Sequence, residues 1–343
     1  MKIQESVQSR RRVIGAMGGL VAGMTVARGA VAQDSTPIAS PVSRAWSYTD
    51  VLGTTVTLPE TPVRIAANIV TAAVLWDLGI KVVALFDWTA SAHPDGDHIA
   101  WGNIDPTAVA NIGDADGNIQ PEDLLVVAPD IILTMTYDPK DPTQTVGVPP
   151  DLAERIGQIA PVLVVTDMAS TDIQVERLAE LGVKLGADVT EPSIVAAKTA
   201  YEAKVEEFKT TATSKSDLTV LFMDFDPGEI YAAGPNGVAE LIFLGSLGLN
   251  FANADSPDAS EFWEILSPEE AIKYPSDIVY NDVYSTVLTL EDLRAVPVFA
   301  AMPAVAAGQV GEWPRDFPMS YEGVTRFLEG ILTTLRTAEK VTD

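Results

Sequence analysis

The order of predicted strands and helices constrains the fold of this chain more than any other feature of the sequence. Strands alternate with helices before residue 170 and again after residue 215, whereas residues 171–209 predict two helices, broken near Asp188–Pro192, with no strand between them. The predicted strands are Arg64–Ala67, Lys81–Phe86, Pro129–Met135, Val162–Thr166, Leu218–Met223 and Ile278–Tyr280, and the other helices are Thr71–Leu78, Pro121–Ala128, Val238–Leu247 and Gly323–Thr337. Such alternation indicates mostly parallel sheets covered on both faces. We therefore predict an α/β protein of two Rossmann-like lobes with mostly parallel sheets, joined by a helical connection.

Residues 1–32 have the pattern of an export signal. Three arginines, Arg10 to Arg12, precede an almost uncharged run of about 15 residues, which is shorter than the roughly 20 that a membrane span needs. Ala30-Val31-Ala32 then supplies a cleavage site of small residues. The adjacent arginines favour a twin-arginine (Tat) signal, and an ordinary secretory signal is the alternative. We expect export by the Tat machinery, cleavage after Ala32, and a soluble periplasmic or extracytoplasmic protein.

The remaining chain divides by composition. Residues 33–45 are rich in Ser, Pro, Thr and Ala and predict a flexible linker. Residues 46–168 form the predicted N-terminal lobe, 169–212 the helical connection and 213–343 the C-terminal lobe. The first lobe opens with a predicted hairpin at Trp46–Pro59, which has its turn at Asp50–Gly53.

Charge and cysteine content exclude several functions. The formal net charge is −26, so the chain repels nucleic acid and anionic membrane surfaces, and an anionic ligand needs a local basic contact. The sequence has no cysteine, which excludes disulfides, thiol catalysis and a lipid anchor on cysteine. No serine-nucleophile, phosphate-loop or dinucleotide motif is present. The two histidines, His93 and His98, lie in a loop with Asp95 and Asp97, and they are only weak candidates for a metal site.

Four stretches together resemble the periplasmic binding proteins of iron–siderophore, haem and vitamin B12 ABC importers. They are Pro62–Ile65 with Leu78–Ala84, Gly113 with Pro121–Ile132, Trp263–Glu269 with Pro275–Val279, and Pro297–Val305 with Gly308–Val310. The resemblance runs in order from about Thr49 to the C-terminus. It implies a helical-backbone binding protein, expected to be a monomer without cofactor, that holds its ligand between the lobes and delivers it to a membrane permease.

Ligand-binding residues are expected in loops that follow the strands, since open α/β sheets bind ligands beyond the carboxyl ends of their strands. Arg315 is the candidate for contacting an anionic iron chelate, because its guanidinium matches carboxylate and catecholate oxygens. Trp76 and Trp263 are predicted to be packing residues. The complete predicted set is Asn68, Trp88, Tyr137, Tyr231, Tyr284, Trp313, Arg315 and Tyr321.

The resemblance also implies two docking residues. In this family one glutamate on each lobe meets arginines of the permease, and the matching positions are Glu122 and Glu269. Both follow a proline at a predicted helix start, where a carboxylate is favoured, so each residue could instead only cap its own helix. Asp123 and Glu270 stand beside them and could share either role.

The function expected from these observations is capture of an iron–siderophore complex for an ABC importer. Haem or cobalamin are alternative ligands, and a tyrosine of the cleft could then serve as the axial ligand of haem. From another class of function, a secreted enzyme or a sensor domain remains the competing hypothesis.

Overall fold

The computed structural model describes residues 45–226, 228–283 and 288–342. The predicted signal peptide, all but the last residue of the predicted linker, and the predicted ligand-binding residue Tyr284 lie outside these residues.

The first lobe is a five-stranded parallel sheet preceded by a hairpin. Its strand order is β5-β4-β3-β6-β7, so the chain starts in the middle of the sheet and winds outward in both directions. The elements are β1 (Trp46–Thr49), β2 (Thr55–Leu58), β3 (Ile65–Asn68), α1 (Ile69–Asp77), β4 (Ala84–Phe86), α2 (Trp88–Ala92), β5 (Ala110–Asn111), α3 (Pro121–Val127), β6 (Ile131–Met135), α4 (Ala153–Ile159) and β7 (Val162–Thr166). The predicted hairpin is confirmed, with β1 and β2 antiparallel.

Two helices join the lobes, as predicted: α5 (Thr171–Lys184) and α6 (Pro192–Ser214). The break between them follows from local chemistry. Gly186 adopts a left-handed conformation with φ of 100° just after α5, and Pro192 occupies the first turn of α6. The second helix extends five residues beyond the predicted end at Lys209.

The second lobe is a mixed five-stranded sheet. Its strand order is β10-β9-β8-β11-β12, in which β8, β11 and β12 are parallel and β9 is antiparallel to both of its neighbours. The antiparallel pair β9–β10 was not predicted, because Ile230–Ala233 is short and weakly patterned. The elements are β8 (Val220–Phe225), β9 (Ile230–Ala233), α7 (Ala239–Ser246), β10 (Trp263–Leu266), β11 (Ile278–Asp282), α8 (Leu290–Ala295), α9 (Pro297–Ala300), α10 (Pro303–Ala307), β12 (Val310–Trp313) and α11 (Tyr321–Leu335).

One hydrophobic core runs through both lobes. It covers the inner face of each sheet and includes buried residues of α1, α5, α6 and α11, while two smaller cores lie beneath the outer helices of the two lobes. Ion pairs add to the packing of α6 on α11: Lys204 lies 2.5 Å from Glu329, which also pairs with Arg336 at 2.7 Å. The helical connection is therefore built into the folded body.

Among residues 45–226, 228–283 and 288–342, no helix has the length and apolar character required to cross a membrane.

Candidate ligand-binding cleft

A cleft opens between residues that follow strands of the two sheets. Tyr137, Met168, Phe262 and Arg315 line both its inner and its outer part. Further lining residues of the inner part are Val70, Met135, Thr166, Gln174, Ala239, Glu240, Asp316, Phe317 and Met319; those of the outer part are Asp138, Asn236, Gly237, Ser260, Glu261 and Trp263. The cleft combines apolar walls with a few polar groups, as small-molecule sites do.

Arg315 is fixed between a carboxylate and aromatic rings. Its Nε donates a 2.6 Å hydrogen bond to Oδ2 of the buried Asp282, at the end of β11. Its guanidinium carbon lies 5.2 Å from the ring centre of Trp263 and 5.8 Å from that of Trp313. A guanidinium this close to aromatic faces gains cation–π attraction. Arg315 is thus held in one orientation in the cleft wall, with part of its charge compensated.

Glu240 is a buried carboxyl group in the cleft wall. It stands in the first turn of α7 and accepts a 3.1 Å hydrogen bond from Nε1 of Trp313. Burial, followed by the negative charge of Asp316, raises the pKa of Glu240 to about 7, against the opposing hydrogen bonds and Arg315. Glu240 therefore changes its charge near neutral pH.

Asp316 brings a further negative charge into the cleft. Its φ of 55° places it in the left-handed region, which is uncommon for residues other than glycine. Burial, and then the charge of Asp316, raises the pKa of Tyr137 above its usual value. Burial likewise raises the pKa of Asp87 to about 6, with Asp316 contributing. Asp316 therefore acts electrostatically on Tyr137 and Asp87 of the first lobe as well as on Glu240 of the second.

The structure brings two of the predicted ligand-binding residues into the cleft lining. Tyr137 follows β6, and Arg315 follows β12. Trp263, predicted to be a packing residue, also lines the outer cleft while its ring packs against Trp313. That prediction is corrected in part, because Trp263 is only half-buried and also lines the cleft.

Trp313 and Asn68 are buried and do not line the cleft. Trp313 is the last residue of β12 and has no exposed surface, so it supports Glu240 and Arg315 from beneath. Asn68 is 1 % exposed at the end of β3, where it precedes α1 without capping it through its side chain. Both residues were predicted to lie in loops after strands, but each is the last residue of its strand, and the sequence did not show which side chains turn inward.

Tyr231 and Tyr321 are not among the described residues that line the cleft. Tyr231 is on β9, and its hydroxyl group donates a 2.6 Å hydrogen bond to Glu229. Tyr321 begins α11, and its ring packs 5.6 Å from that of Tyr201 on the connecting helix. Ser320 caps this helix, and Tyr321 lines a surface pocket with residues of α5 and α6 instead.

Trp88 and the two histidines cluster beside the start of α2. The ring centres of His93 and His98 lie 5.0 Å apart, and those of Trp88 and His98 lie 6.1 Å apart. Nδ1 of His93 lies 3.0 Å from Asp97, whereas Nδ1 of His98 accepts a hydrogen bond from Ala100 N. In the part of the chain that the structure describes, no group of three or more His, Cys, Asp or Glu side chains could hold a metal ion.

Sequence reasoning missed the methionines and the acidic groups of the cleft. Met135, Met168 and Met319 line the inner part, where their flexible thioethers adapt to a ligand surface. Met135 ends a predicted strand, which was a usable signal. Glu240 carries no such signal, because an acidic residue in the first turn of a helix is favoured whether or not it lines a site.

The predicted docking residue Glu122 is exposed at the start of α3. It pairs with Arg155 of α4 at 2.6 Å, and this contact lowers its pKa. Leu125 and Val126, one turn further along the helix, are 58 % and 84 % exposed. Glu122 is therefore an exposed acidic residue beside exposed apolar side chains.

Glu269 occupies a similar environment on the second lobe. It is exposed in a 3-10 helix at Pro268–Ile272, and Ile265 and Ile272 beside it are also exposed. The neighbouring Glu270 is engaged locally, because it accepts hydrogen bonds from the backbone and hydroxyl group of Ser267 in a capping box. Glu270 is thus the residue that caps this helix. The Glu269 side chain has no described hydrogen bond or ion pair.

The structure has two α/β lobes joined by helices. The cleft between the lobes is lined by aromatic, methionine and charged side chains. This arrangement defines a binding protein for a small molecule. The sequence profile described as "Periplasmic binding protein" matches residues 71–317, and the chain belongs to that family. Members of this family are substrate-binding proteins, not enzymes. A comparison with curated protein sequences gave no significant match.

Solved structures agree with this assignment. DesE, a ferric-siderophore receptor protein from Streptomyces coelicolor, is 28 % identical over 87 % of this chain and 100 % of its own, with a TM-score of 0.77. The petrobactin-binding protein YclQ from Bacillus subtilis shares the fold at 16 % identity, 85 % and 99 % coverage and a TM-score of 0.65. The siderophore-binding protein FhuD from Vibrio cholerae, bound to Fe³⁺–Desferal, shares it at 18 % identity, 80 % and 98 % coverage and a TM-score of 0.57.

Proposed function

We propose that this protein captures a ferric siderophore complex in its cleft and delivers it to the permease of an ABC importer. The cleft wall around Arg315 supports this proposal most directly, because Trp263 and Phe262 offer aromatic surface beside polar groups. The similarity to the ferric-siderophore receptor DesE, over its full length, supports the same class of ligand.

Haem is the less favoured ligand. An axial tyrosine must lose its proton to bind haem iron well, and Tyr137 is the only tyrosine among the described residues that line the cleft. No histidine is among the described residues that line the cleft, and the negative charges of Asp316 and Asp87 oppose ionisation of Tyr137. We propose that Tyr137 instead donates a hydrogen bond to an oxygen atom of the chelate.

Delivery requires a docking surface, and we propose that Glu122 and Glu269 provide it. Each is exposed beside apolar side chains, an arrangement that suits a partner carrying arginines within a partly apolar surface. We also propose that the protein is exported through the Tat machinery and is a soluble monomer. In this proposal the N-terminal lobe spans 46–168, the helical connection 169–212 and the C-terminal lobe 213–343.

The test is a titration of the protein with ferric siderophores, haemin and cobalamin, followed through intrinsic fluorescence. Trp263 in the cleft wall and Trp313 beneath it place two fluorophores at the site. We expect saturable quenching by at least one ferric siderophore and none by cobalamin. Tighter binding of haemin or cobalamin than of every siderophore would refute the proposed ligand class.

A further inference from the structure

The charge of the cleft limits which iron chelates it can hold. Arg315 is the one cationic side chain among the described residues that line the cleft, whereas Glu240, Asp316, Asp138 and Glu261 are acidic. This excess has the same sign as the formal net charge of −26, so the distant field of the protein does not compensate it.

The single cation is already paired. Arg315 binds Asp282 at 2.6 Å, and both side chains are largely buried, with side-chain exposures of 16 % and 2 %. Asp224 and Glu240 also lie within its field, because burial raises the pKa of both and the charge of Arg315 opposes that rise. Because Asp282 is in direct contact and Asp224 lies within its field, the charge of Arg315 is largely compensated before an anionic ligand binds.

Asp316 is the acidic group placed to act on a ligand at the centre of the cleft. It directly follows Arg315, lines the inner cleft, and is only half-buried, so it remains accessible. Its charge influences Tyr137 on the opposite lobe and Glu240 on its own lobe. Its left-handed backbone, with φ of 55°, is an uncommon conformation that Asp and Asn adopt more readily than most residues.

We propose, building on the proposed function, that the cleft selects ferric chelates without net negative charge and that Asp316 is the specificity-determining residue. The favoured ligands are neutral or cationic chelates, such as iron enclosed by three hydroxamates, in which the three ligand charges cancel that of Fe³⁺. Tris-catecholate and citrate chelates of iron are anionic, and the carboxyl groups disfavour them. Arg315 and Asp282 then form an ion pair in the cleft wall that is neutral as a whole. This pair lies beside aromatic rings and offers hydrogen-bond donors to the ligand.

The experiment uses three probes that share one iron coordination shell and differ in one remote charge. They are the ferric complexes of desferrioxamine B, which carries a terminal ammonium group, of its N-acetyl derivative, which is neutral, and of its N-succinyl derivative, which is anionic. Ferric tris-catecholate and ferric citrate extend the series to other anionic chelates. Dissociation constants are measured by fluorescence quenching at low and at physiological salt.

We expect the anionic derivative to bind at least about tenfold more weakly than the cationic one at low salt, with the ratio falling as salt screens the charges. Asp316→Asn keeps the backbone preference and should reduce that ratio several-fold. If Asp316→Asn folds poorly, the ratio is measured instead in Glu261→Gln, which changes another acidic residue at the rim of the cleft. Asp217→Asn, an exposed residue before the amino end of β8, is the matched control and should leave the ratio unchanged.

The outcomes separate the two proposals. Equal or tighter binding of an anionic chelate than of the cationic one overturns the charge selection while siderophore capture stands. An unchanged ratio in both Asp316→Asn and Glu261→Gln overturns the assignment of the selection to cleft carboxyl groups. Failure of every ferric chelate to bind overturns siderophore capture itself.

Discussion

Nε1 of Trp313 donates a 3.1 Å hydrogen bond to the carboxyl group of Glu240, beneath the guanidinium of Arg315. The two residues are 73 positions apart in the sequence, and both are buried. The indole satisfies one carboxyl oxygen, but burial still raises the pKa of Glu240 from 4.5 to about 7. The folded protein therefore stabilises the protonated form of this residue.

Glu240 is expected to make folding stability depend on pH. Because its pKa is higher in the folded state, its contribution is fully present below about pH 4.5 and is lost as the pH rises through about 7. Glu240→Gln should remove this loss and should raise the free energy of unfolding at pH 8 by about 1–3 kcal/mol relative to the unmodified protein. Urea unfolding of both proteins at pH 5 and pH 8 measures the effect. A stability difference between them that stays the same at both pH values would contradict it.

If Glu122 and Glu269 dock the protein onto the permease, their loss should prevent transport without changing ligand binding. Glu122→Ala combined with Glu269→Ala should abolish iron uptake in cells that express the cognate permease, because both exposed carboxylates are lost. The dissociation constant of the ferric chelate should not change, since neither residue lines the cleft.

The control pair is Asp123→Ala with Glu270→Ala, because these acids adjoin the first pair. Glu270 already caps its own helix, so this pair should leave uptake largely intact. Uptake that survives the first pair and fails in the control pair would move the docking role to the neighbouring acids.

Asp277 is expected to hold the C-terminal segment onto the second lobe. It has no exposed surface, and its carboxylate accepts hydrogen bonds of 2.8 Å from the backbone nitrogens of Thr219, Val341 and Thr342 and one of 3.0 Å from Lys340 Nζ. Burial raises the pKa of Asp277, but these donors outweigh it and hold the pKa well below its usual value. The stabilisation is present above about pH 4 and is lost as the pH falls toward the lowered pKa.

Asp277→Asn should lower the free energy of unfolding by about 2–3 kcal/mol, since its amide group would face backbone donors in place of a charged acceptor. Urea midpoints at pH 7 test this, and Glu339→Gln is the control because that side chain is exposed in the same segment. Equal midpoints for Asp277→Asn and Glu339→Gln would show that the carboxylate is dispensable.

The sequence predicted the layers of this fold better than its cleft. Periodicity identifies strands such as β6, because a buried parallel strand requires a continuous apolar run. The same reasoning pointed to Tyr137 and Arg315, which follow β6 and β12 and line the cleft. It pointed equally to Trp313 and Tyr321, which are not among the described lining residues, because Trp313 is buried within β12 and Tyr321 begins α11. The role of Glu240 depends on a partner 73 positions away, which no local pattern encodes.

A hydrogen-bonded contact between the lobes gives the last prediction. Asp77, at the end of α1, accepts a 2.6 Å bond from the hydroxyl group of Ser320, which caps α11, and a 2.8 Å bond from Asn103. Asn103 also donates to Glu322 at 2.8 Å. The two segments pack closely here, since a Cβ atom on Gly102 would lie 2.9 Å from the side chain of Pro318. This contact and the helical connection should keep lobe closure small.

We expect little compaction in solution scattering when a ferric chelate is added to the unmodified protein. Asp77→Ala removes the acceptor shared by Ser320 and Asn103, so it should speed hydrogen exchange in the first turn of α11 and should enlarge the ligand-induced compaction. Asp105→Ala is the control, because the described hydrogen bonds of this side chain are to Thr107 in its own loop. A large compaction of the unmodified protein, or equal exchange at residues 320–326 in the two variants, would show that this contact does not restrain the lobes.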